Sequence, residues 1–242
     1  MDLKNKVAFV TGGGRGIGRE TCLLLAKQGA KVAVFSRSLS ETTEVADYVG
    51  AKLGGEAIAL SGDVRSEDDV NKAVQLAVEK LGSIDILINN AGVMLLKPFD
   101  ETTVEEWDFV QDINMRGVFL CAKAVVPQMK EKRNGVIINV SSIWGTKGGP
   151  DRSAYITSKW AAIGFTKALG EELKPFNVRV NAVCPGPVDT KMMEDIAPDT
   201  NKDNWLHPID MANVIVDLCL PKMKAVSATV IEAFGNGRPV NL

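Results

Sequence analysis

Three polar residues in the second half of the chain have the types and the spacing needed to move a proton: Ser142, Tyr155 and Lys159. Tyr155 and Lys159 are four positions apart in a predicted helix, so their side chains share one helix face. A free tyrosine has a pKa of about 10, and a nearby ammonium is expected to lower that pKa toward neutrality. Ser142 follows a predicted strand and could donate a hydrogen bond to a substrate oxygen that gains negative charge. This combination predicts acid–base chemistry at a carbonyl or an alcohol.

A glycine-rich turn near the start of the chain has the composition of a nucleotide site. It lies between the predicted strand Val7–Val10 and a predicted helix. Glycines allow positive φ and let backbone N–H groups approach a pyrophosphate at the positive end of a helix. The spacing is G-x-x-x-G-x-G on Gly12, Gly16 and Gly18, which differs from the G-x-G-x-x-G fingerprint. A Walker loop is excluded because Arg19 stands where its lysine would be, whereas a plain tight turn or another nucleotide site remain alternatives.

The end of the second predicted strand bears on the choice of cofactor. Ser36 and Arg37 stand where an NAD-binding chain normally places an acid for the ribose hydroxyls. Arg37 and Arg15 could clamp a 2′-phosphate, because a guanidinium matches phosphate geometry and a carboxylate would repel it. The sequence therefore predicts NADP(H) in preference to NAD(H), and the alternative is that both arginines are merely solvated.

The elements that must position these residues alternate between short β-branched runs and longer helical patterns. This alternation predicts one α/β domain over residues 1–242, a Rossmann fold with a doubly wound, seven-stranded parallel sheet and helices on both faces. The predicted strands are Val7–Val10, Lys31–Ser36, Ala57–Leu60, Ile84–Asn89, Gly135–Val140, Val178–Val183 and Ser227–Glu232. The predicted helices are Gly16–Gln28, Glu41–Leu53, Glu67–Leu81, Thr103–Val126, Ser153–Leu173 and Ile209–Leu220. The long connection 185–204 shows no clear periodicity and is the predicted substrate loop.

Composition excludes several classes of protein. The chain has 242 residues, of which 45% are hydrophobic and 24% charged, values typical of a globular domain with a full core. Its formal net charge of -2 gives no general attraction for nucleic acid, and the basic cluster of Lys130, Lys132 and Arg133 is typical of a solvated helix end. No apolar stretch approaches the roughly 20 residues of a membrane span. The first residues lack a secretion signal, so a cytoplasmic protein is expected.

The order and spacing of the motifs resemble the short-chain dehydrogenase/reductase family over essentially the whole chain. The matching elements are T-G-x-x-x-G-x-G from Thr11 to Gly18, Asn89-Asn90-Ala91-Gly92, Asn114, Ser142, Tyr155-x-x-x-Lys159 and Pro185-Gly186. The resemblance implies a seven-stranded Rossmann sheet and an oxidoreductase, closest in appearance to the 3-oxoacyl-(acyl-carrier-protein) reductases. It also implies a homodimer or homotetramer, with contacts around Trp107–Val126 and Tyr155–Leu169.

The resemblance assigns roles to single residues. It implies that Tyr155 is the general acid/base, that Lys159 lowers the Tyr155 pKa and holds the nicotinamide ribose, and that Ser142 orients the carbonyl. Asn114 would support a water-linked proton relay. Residue patterns and resemblance together predict a set of cofactor contacts: Gly12, Arg15, Gly16, Ile17, Gly18, Ser36, Arg37, Asp63, Val64, Asn90, Ala91, Gly92, Tyr155, Lys159, Pro185, Gly186, Val188 and Thr190. The predicted substrate pocket beside Ser142 is formed by Met94, Trp144 and Met192.

Departures from the family pattern concern the substrate side. Ser141 precedes Ser142, and only the spacing to Tyr155 selects the second serine as catalytic. The segment Lys191–Asn204 is shorter than the family's usual substrate-covering helices, which predicts an open site. Ser227-Ala228 replaces the usual Thr-Gly, and residues 234–239 replace a plainer Asp-Gly-Gly, which puts the usual contacts of this segment into question.

Two kinds of substrate remain open at this point. The basic cluster of Lys130, Lys132 and Arg133 could meet an acidic acyl carrier protein, which would suit a carrier-bound 3-oxoacyl group. The alternative is a free ketone, a sugar or a steroid-like alcohol.

Other classes of function fit the sequence less well. A Ser-His-acid hydrolase is nearly excluded because the chain has one histidine, His207, and no G-x-S-x-G motif. No metal site is expected, since one histidine and four dispersed cysteines supply no ligand spacing. The cysteines are expected to be reduced core residues: Cys22, Cys121, Cys184 and Cys219. A methyltransferase would leave the Tyr155–Lys159 pair unexplained, and a non-catalytic NADP-binding sensor would leave four reactive side chains unused.

Overall fold

A parallel sheet forms the frame of residues 2–203 and 205–235, the parts of the chain that the computed structural model describes. Within these ranges it has seven strands in the order β3-β2-β1-β4-β5-β6-β7. The strands are β1 (Val7–Thr11), β2 (Lys31–Ser36), β3 (Ala57–Ser61), β4 (Ile86–Asn89), β5 (Gly135–Val140), β6 (Val178–Pro185) and β7 (Val230–Ala233). The order reverses between β1 and β4, and sheets of this kind bind ligands in the crevice that such a reversal opens. The predicted doubly wound Rossmann sheet is confirmed.

Helices cover both faces of this sheet. They are α1 (Gly16–Lys27), α2 (Leu39–Leu53), α3 (Glu67–Leu81), α4 (Val104–Gln111), α5 (Gly117–Lys132), α6 (Ser153–Leu173), α7 (Lys191–Ile196) and α8 (Pro208–Cys219). Successive side chains of a strand point to opposite faces, so Ala8 and Val10 of β1 join the core under α1, α2 and α8. Val7 and Phe9 join the core under α3, α5 and α6. Burial on both faces explains why the strands are continuous apolar runs.

The predicted helix Thr103–Val126 is three consecutive segments. Thr103 is the N-cap of α4, where its hydroxyl accepts a hydrogen bond from the Glu106 N–H. After α4, residues Asp112–Arg116 form a π-helical turn before α5 begins. The prediction that the helix ends at Val126 is wrong, because α5 continues through Pro127 to Lys132. Single π-helical turns inside longer helices are frequent at functional sites.

The connection from β6 to α8 contains a helix that the sequence pattern did not predict. Residues 191–196 form α7, and Val188 pairs with Leu206 in an isolated bridge that brings the two ends of the connection together. The predicted loop 185–204 therefore has a short helix of its own, and its last residue, Asn204, lies outside the described residues. Residues 236–239 of the unusual C-terminal segment lie outside them as well.

Two strands begin later than predicted, and β1, β3, β6 and β7 extend one or two residues beyond their predicted ends. β4 begins at Ile86 rather than Ile84, because the Asp85 carboxylate accepts a hydrogen bond from the Val7 N–H at 3.0 Å. β7 begins at Val230 rather than Ser227. Ala228 has a positive φ of 55°, a conformation that interrupts an extended strand.

Candidate active site

A cleft of about 410 Å³ opens at the carboxyl edge of the sheet, next to β1 and β4, between which the strand order reverses. Its walls contain most of the residues that the sequence predicted for cofactor, substrate and catalysis. These are Gly12, Arg15, Gly16, Ile17, Ser36, Arg37, Asp63, Val64, Asn90, Ala91, Gly92, Met94, Ser142, Trp144, Tyr155, Lys159, Pro185, Gly186, Val188, Thr190 and Met192. Gly18 and Asn114 were predicted with them but do not line the cleft.

The glycine turn presents bare backbone to the cleft. Gly12 and Gly16 have φ of +61° and +55°, in the left-handed region that favours glycine. Gly18 lies behind the turn, where a Cβ would collide with the Gly12 carbonyl oxygen, so this glycine allows the turn to pack on α1. Because α1 starts at Gly16, its unsatisfied N–H groups and the positive end of its dipole lie at the cleft. This turn fits the pyrophosphate of a dinucleotide.

Hydrogen bonds join the glycine turn to the end of β4. The Asn90 side-chain amide donates to the carbonyls of Thr11 and Gly12, each at 3.1 Å. The Thr11 hydroxyl accepts from the Asn90 and Ala91 N–H groups at 3.0 Å. The Asn90 amide thus holds the two strand ends together, which leaves its backbone and that of Ala91 to border the cleft.

Arg15 and Arg37 are exposed and lie at the same end of the cleft, as predicted. An acid that the sequence analysis missed lies beside them: Arg15 Nη1 is 3.9 Å from Glu41 Oε1, with side chains 61% and 38% exposed. Glu41 packs against Gly14, where an added Cβ would lie 2.7 Å from the Glu41 Cβ. In the sequence, Glu41 resembles an ordinary acid in the first turn of a helix, and its N–H indeed donates to the N-cap Ser38. Only the tertiary fold places its carboxylate in the cleft wall.

Asp63 lines the cleft as predicted, but its carboxylate is already engaged. It accepts two hydrogen bonds from the Arg65 guanidinium, at 3.0 and 2.7 Å, and a third from the Arg65 N–H at 2.9 Å. These bonds, foremost the one from the Arg65 side chain, lower the pKa of Asp63. Arg65 also lies over the Phe109 ring at 5.2 Å. The sequence analysis did not identify Arg65, although its position two residues after Asp63 is typical of an Asx turn.

The three predicted catalytic side chains converge at the other end of the cleft. Ser142, Tyr155 and Lys159 are all buried, and the Lys159 ammonium lies 5.5 Å from the centre of the Tyr155 ring. Lys159 donates a hydrogen bond to the Val140 carbonyl at 3.1 Å, at the last residue of β5. This hydrogen bond to the end of β5 holds the Lys159 ammonium beside the Tyr155 phenol.

Burial, rather than the ammonium, dominates the titration of the phenol in this structure. Burial raises the pKa of Tyr155, while hydrogen bonding with Ser142 acts in the opposite direction. Burial also lowers the pKa of Lys159 to about 8. Burial therefore opposes the lowering of the Tyr155 pKa that is expected from the Lys159 ammonium, and that effect of Lys159 stays a prediction.

The two adjacent serines have separate tasks. The Ser141 hydroxyl donates to the Lys159 carbonyl at 2.9 Å and so fastens β5 to the middle of α6. The Ser142 hydroxyl accepts from the Trp144 N–H at 3.2 Å and interacts with Tyr155. Of the two serines, Ser142 is therefore the one in contact with Tyr155, and its catalytic role stays a prediction.

Asn114 lies behind the cleft in the π-helical turn and is buried. Its side-chain amide donates to the Val93 carbonyl at 2.8 Å and to the Ser158 hydroxyl at 2.9 Å, and its oxygen accepts from the Val93 N–H at 2.8 Å. Ser158 in turn donates to the Tyr155 carbonyl at 2.7 Å. The Asn114 side chain thus connects the segment after β4 to the helix that bears Tyr155, and its bonds go to these protein groups.

The wall next to Ser142 is mostly apolar. It contains the predicted Met94, Trp144 and Met192, together with Ile143 and Met193, which the sequence analysis did not name. The buried Arg152 guanidinium lies 4.3 Å from the centre of the Trp144 ring. Lys147 also lines this end of the cleft, although its position in a short polar loop carried no recognisable signal.

The basic cluster of Lys130, Lys132 and Arg133 lies at the opposite edge of the sheet. The cluster lies at the C-terminal end of α5, directly before the first residue of β5, whereas the cleft lies beyond the last residue of β5. Lys132 pairs with Asp85 at 3.3 Å, Arg133 donates to the Pro175 carbonyl at 2.7 Å, and Lys130 lies 4.3 Å from the Phe176 ring. The cluster therefore does not line the cleft, and its contact with an acidic carrier protein stays a prediction.

Clusters of metal ligands, cysteine pairs and membrane-spanning helices are all absent from the described ranges. Among those residues, no set of three or more His, Cys, Asp or Glu side chains is placed to hold a metal ion. The four cysteines are free and buried, and burial raises the pKa of Cys121 to about 12. No helix in the described part of the chain is long and apolar enough to cross a membrane.

Comparison with known proteins identifies relatives that share almost the whole chain. The family described as short chain dehydrogenase matches residues 6–201. A 3-oxoacyl-(acyl-carrier-protein) reductase of Staphylococcus epidermidis is 37% identical over 241 residues, which cover 96% of this chain and 98% of the relative. A cyclopentanol dehydrogenase of a Comamonas species is 42% identical over 197 residues, 80% of this chain and 77% of the relative. The crystal structure of levodione reductase aligns with a TM-score of 0.91 at 30% identity and covers 96% of this chain and 97% of that one.

Proposed function

The chain belongs to the short-chain dehydrogenase/reductase family, and from that premise we propose that it is an NADP(H)-dependent oxidoreductase that interconverts a ketone and a secondary alcohol. One observation carries this proposal. Ser142, Tyr155 and Lys159 meet, buried, at one end of a cleft whose other end holds the glycine turn and two arginines. A sheet reversal alone would explain a cleft, but not a phenol and an ammonium buried together in its wall.

Tyr155 is the proton donor in the reduction. When bound, the reduced nicotinamide supplies a hydride to the carbonyl carbon of the substrate. Tyr155 then gives its phenolic proton to the carbonyl oxygen, which becomes the hydroxyl of the alcohol. In the oxidation the same phenol oxygen accepts the proton back. Because burial raises the Tyr155 pKa, the free protein holds the protonated form that reduction requires.

Ser142 and Lys159 orient the groups around that proton. The Ser142 hydroxyl stabilises the charge that develops on the substrate oxygen. The Lys159 ammonium has three donors, one of which is bound to the Val140 carbonyl, so two are left for the hydroxyls of the nicotinamide ribose. An ammonium held there also favours the phenolate after the proton has left.

The opposite end of the cleft favours NADP(H). Arg37 forms no ion pair with any residue in 2–203 or 205–235, and Arg15 has only the long contact with Glu41. Two guanidinium groups that water surrounds are available to a 2′-phosphate, and Ser36 and Ser38 line the same wall. Arg37 and Ser38 directly follow β2, in place of an acid that would accept hydrogen bonds from the ribose hydroxyls.

Small apolar ketones and 3-oxoacyl groups are the proposed substrates. The wall beside Ser142 is lined by Met94, Trp144 and Met192, which suit an alkyl chain or ring. The names of the relatives point the same way, since one is a 3-oxoacyl reductase and another acts on cyclopentanol. A free ketone is the second candidate, and the observation that favours it is the location of the Lys130 cluster away from the cleft.

Exposed aromatic side chains on α4, α5 and α6 support the proposal of a homodimer or homotetramer. Phe109, Phe119 and Trp160 are 40%, 45% and 51% exposed on the helices expected to form contacts. Large apolar side chains in water favour association. Light scattering of the purified protein measures the number of chains directly, and a monomer would contradict this proposal.

Nicotinamide oxidation followed by absorbance tests the proposed function. The purified chain is mixed with NADPH or NADH and a panel of cyclic ketones, acyclic ketones and 3-oxoacyl thioesters. We expect turnover with NADPH, and a lower kcat/KM with NADH. Binding of NADPH without turnover of any ketone would instead indicate a nucleotide sensor.

A further inference from the structure

Charged side chains are distributed unequally along the cleft. The two acids in its described lining, Glu41 and Asp63, lie at the end where the arginines are, and both have basic partners. The end next to Ser142 is lined by thioether, aliphatic and indole groups, with the ammonium of Lys147 at its margin. No carboxylate from the described residues lines that end to neutralise this charge.

Lys147 stands on a loop that the catalytic serine itself begins. The Gly145 N–H donates to the Ser142 carbonyl at 2.8 Å, and the Thr146 N–H and hydroxyl both donate to the Ile143 carbonyl, at 3.1 and 3.0 Å. The Trp160 indole N–H lies 3.4 Å from the Lys147 carbonyl. These bonds fasten the loop to itself and to α6, so the Lys147 backbone keeps a set position relative to Ser142.

The Lys147 ammonium has an aromatic neighbour but no acidic partner. It lies 5.4 Å from the centre of the Phe234 ring, and Phe234 packs on Gly186 at the end of β6. In the parts of the chain that the structure describes, Lys147 forms no ion pair, whereas Lys191 across the cleft is bound to Asp195 at 2.9 Å. The Phe234 ring restrains the direction of the Lys147 side chain but does not neutralise its positive charge.

We propose that Lys147 binds an anionic group, a carboxylate or a phosphate, on the part of the substrate that lies beyond the reacting carbonyl. This inference rests on the proposed ketone reduction and specifies its substrate: an oxo compound with an apolar middle section and an acidic far end. The apolar wall contacts the middle section, and the ammonium pairs with the acidic end. A carrier-bound or coenzyme-bound acyl group would offer a phosphate, and a keto acid would offer a carboxylate.

Pairs of substrates that differ in one anionic group test the inference by turnover. The carboxylate pair is 4-oxopentanoate and its methyl ester; the phosphate pair is the 3-oxobutanoyl thioester of phosphopantetheine and that of pantetheine. For Lys147→Met, which keeps most of the stem, we expect kcat/KM to fall about three- to tenfold for the charged member of the matching pair. The neutral member should change less than twofold. Lys147→Arg should restore the preference, and added salt should weaken it in the wild type.

Lys52→Met is the matched control, because Lys52 is an exposed lysine in the last turn of α2, at the edge of the sheet opposite the cleft. It should change neither member of either pair. Equal losses of kcat/KM for charged and neutral substrates in Lys147→Met would overturn the inference, since they would indicate damage to the loop.

Calorimetry separates a failure of this inference from a failure of the proposed function. The heat of binding to wild type and to Lys147→Met is measured for 4-oxopentanoate against its methyl ester, and for phosphopantetheine against pantetheine, with NADPH present. Weaker binding of one anion to Lys147→Met supports the inference even where no ketone is reduced. Identical affinities of both proteins for both anions would show that Lys147 binds neither, whatever the turnover.

Discussion

The two ends of the cleft hold their charged groups in different surroundings. At the catalytic end, Tyr155 and Lys159 are buried and their pKa values are displaced by loss of water. The opposite end, with Arg15, Arg37 and Glu41, is called the phosphate end because the 2′-phosphate of NADP(H) is proposed to bind there. Its three side chains stand partly or fully in solvent, in contacts that water screens. Under the proposed function, the buried groups supply a proton at one end and the exposed arginines select an anion at the other.

This difference teaches where a substitution should be costly. When a buried group is removed, water cannot replace its hydrogen bonds, so the loss is costly. An exposed ion pair adds little to stability, and its partners can rearrange when one is removed. The largest effects on rate are expected at the catalytic end, and changes of cofactor selectivity at the phosphate end.

The strongest test at the catalytic end is Tyr155→Phe. It removes the proton donor and leaves the ring, so we expect kcat to fall by about 10²- to 10⁴-fold while NADPH still binds. NADPH fluorescence and ketone-dependent oxidation measure the two effects. Tyr48→Phe is the control, because Tyr48 is the chain's other tyrosine and lies 41% exposed on α2. Retained turnover in Tyr155→Phe would show that Tyr155 is not the proton donor, and the contrast between the two ends would then have no basis.

Ser142→Ala tests how the catalytic end tunes the phenol. Hydrogen bonding with Ser142 acts against the rise in the Tyr155 pKa, so its loss should raise that pKa further. Alcohol oxidation needs the phenolate, and its kcat/KM should therefore increase only at higher pH than in the wild type. We also expect kcat to fall about 10²-fold at neutral pH, because a donor to the substrate oxygen is lost.

The control for this pH profile is Ser141→Ala. Ser141 bonds to the Lys159 carbonyl, so its loss should lower stability by about 1 kcal/mol without moving the profile. Identical shifts of the pH profile in the two serine variants would show that the Tyr155 pKa responds to a general loosening of the structure rather than to the loss of the Ser142 hydroxyl.

Arg37→Asp is the main test at the phosphate end. It places a carboxylate where the 2′-phosphate would bind, so the ratio of kcat/KM for NADPH over NADH should fall by about 10- to 100-fold. With saturating cofactor, kcat should stay within about twofold, because Arg37 is at the end away from Tyr155. An unchanged ratio would show that Arg37 takes no part in cofactor choice.

Glu41→Gln should have the smallest effect, and in the opposite direction. It keeps the shape that packs on Gly14 but removes the charge that competes for Arg15, so NADPH should bind about two- to fivefold more tightly. Glu44→Gln, three residues along α2 and exposed, should leave the affinity unchanged. Weaker NADPH binding by Glu41→Gln would indicate that Glu41 orients Arg15 toward the phosphate.

Local patterns predicted the frame and many of the cleft residues. β-branched runs indicated the strands because both faces of a parallel sheet are apolar, and the spacing of Tyr155 and Lys159 indicated a shared helix face. Helix ends were less predictable. The helix predicted to end at Val126 continues through Pro127, because the packed face of α5 outweighs the backbone donor that proline lacks.

Residues that act through distant partners carried no usable signal. Glu41 looked like a helix first-turn acid, and Lys147 looked like part of a polar loop. Asn114 was identified only through the family resemblance, as part of a proton relay, and the burial of its amide between Val93 and Ser158 depends on residues far away along the chain. Such positions depend on which elements pack together, and one-dimensional spacing does not contain that information.

By itself, the sequence determined that this chain forms a Rossmann sheet, that a glycine turn opens its first helix, and that a phenol and an ammonium share one face of a later helix. These features follow from residue periodicity and short-range geometry. The tertiary structure decided how strongly each group is removed from water, which lysine cluster lies behind the sheet, and which exposed charges stand beside the phosphate end. Those properties depend on contacts between segments far apart in the chain, since both dielectric surroundings and ion pairing act through space.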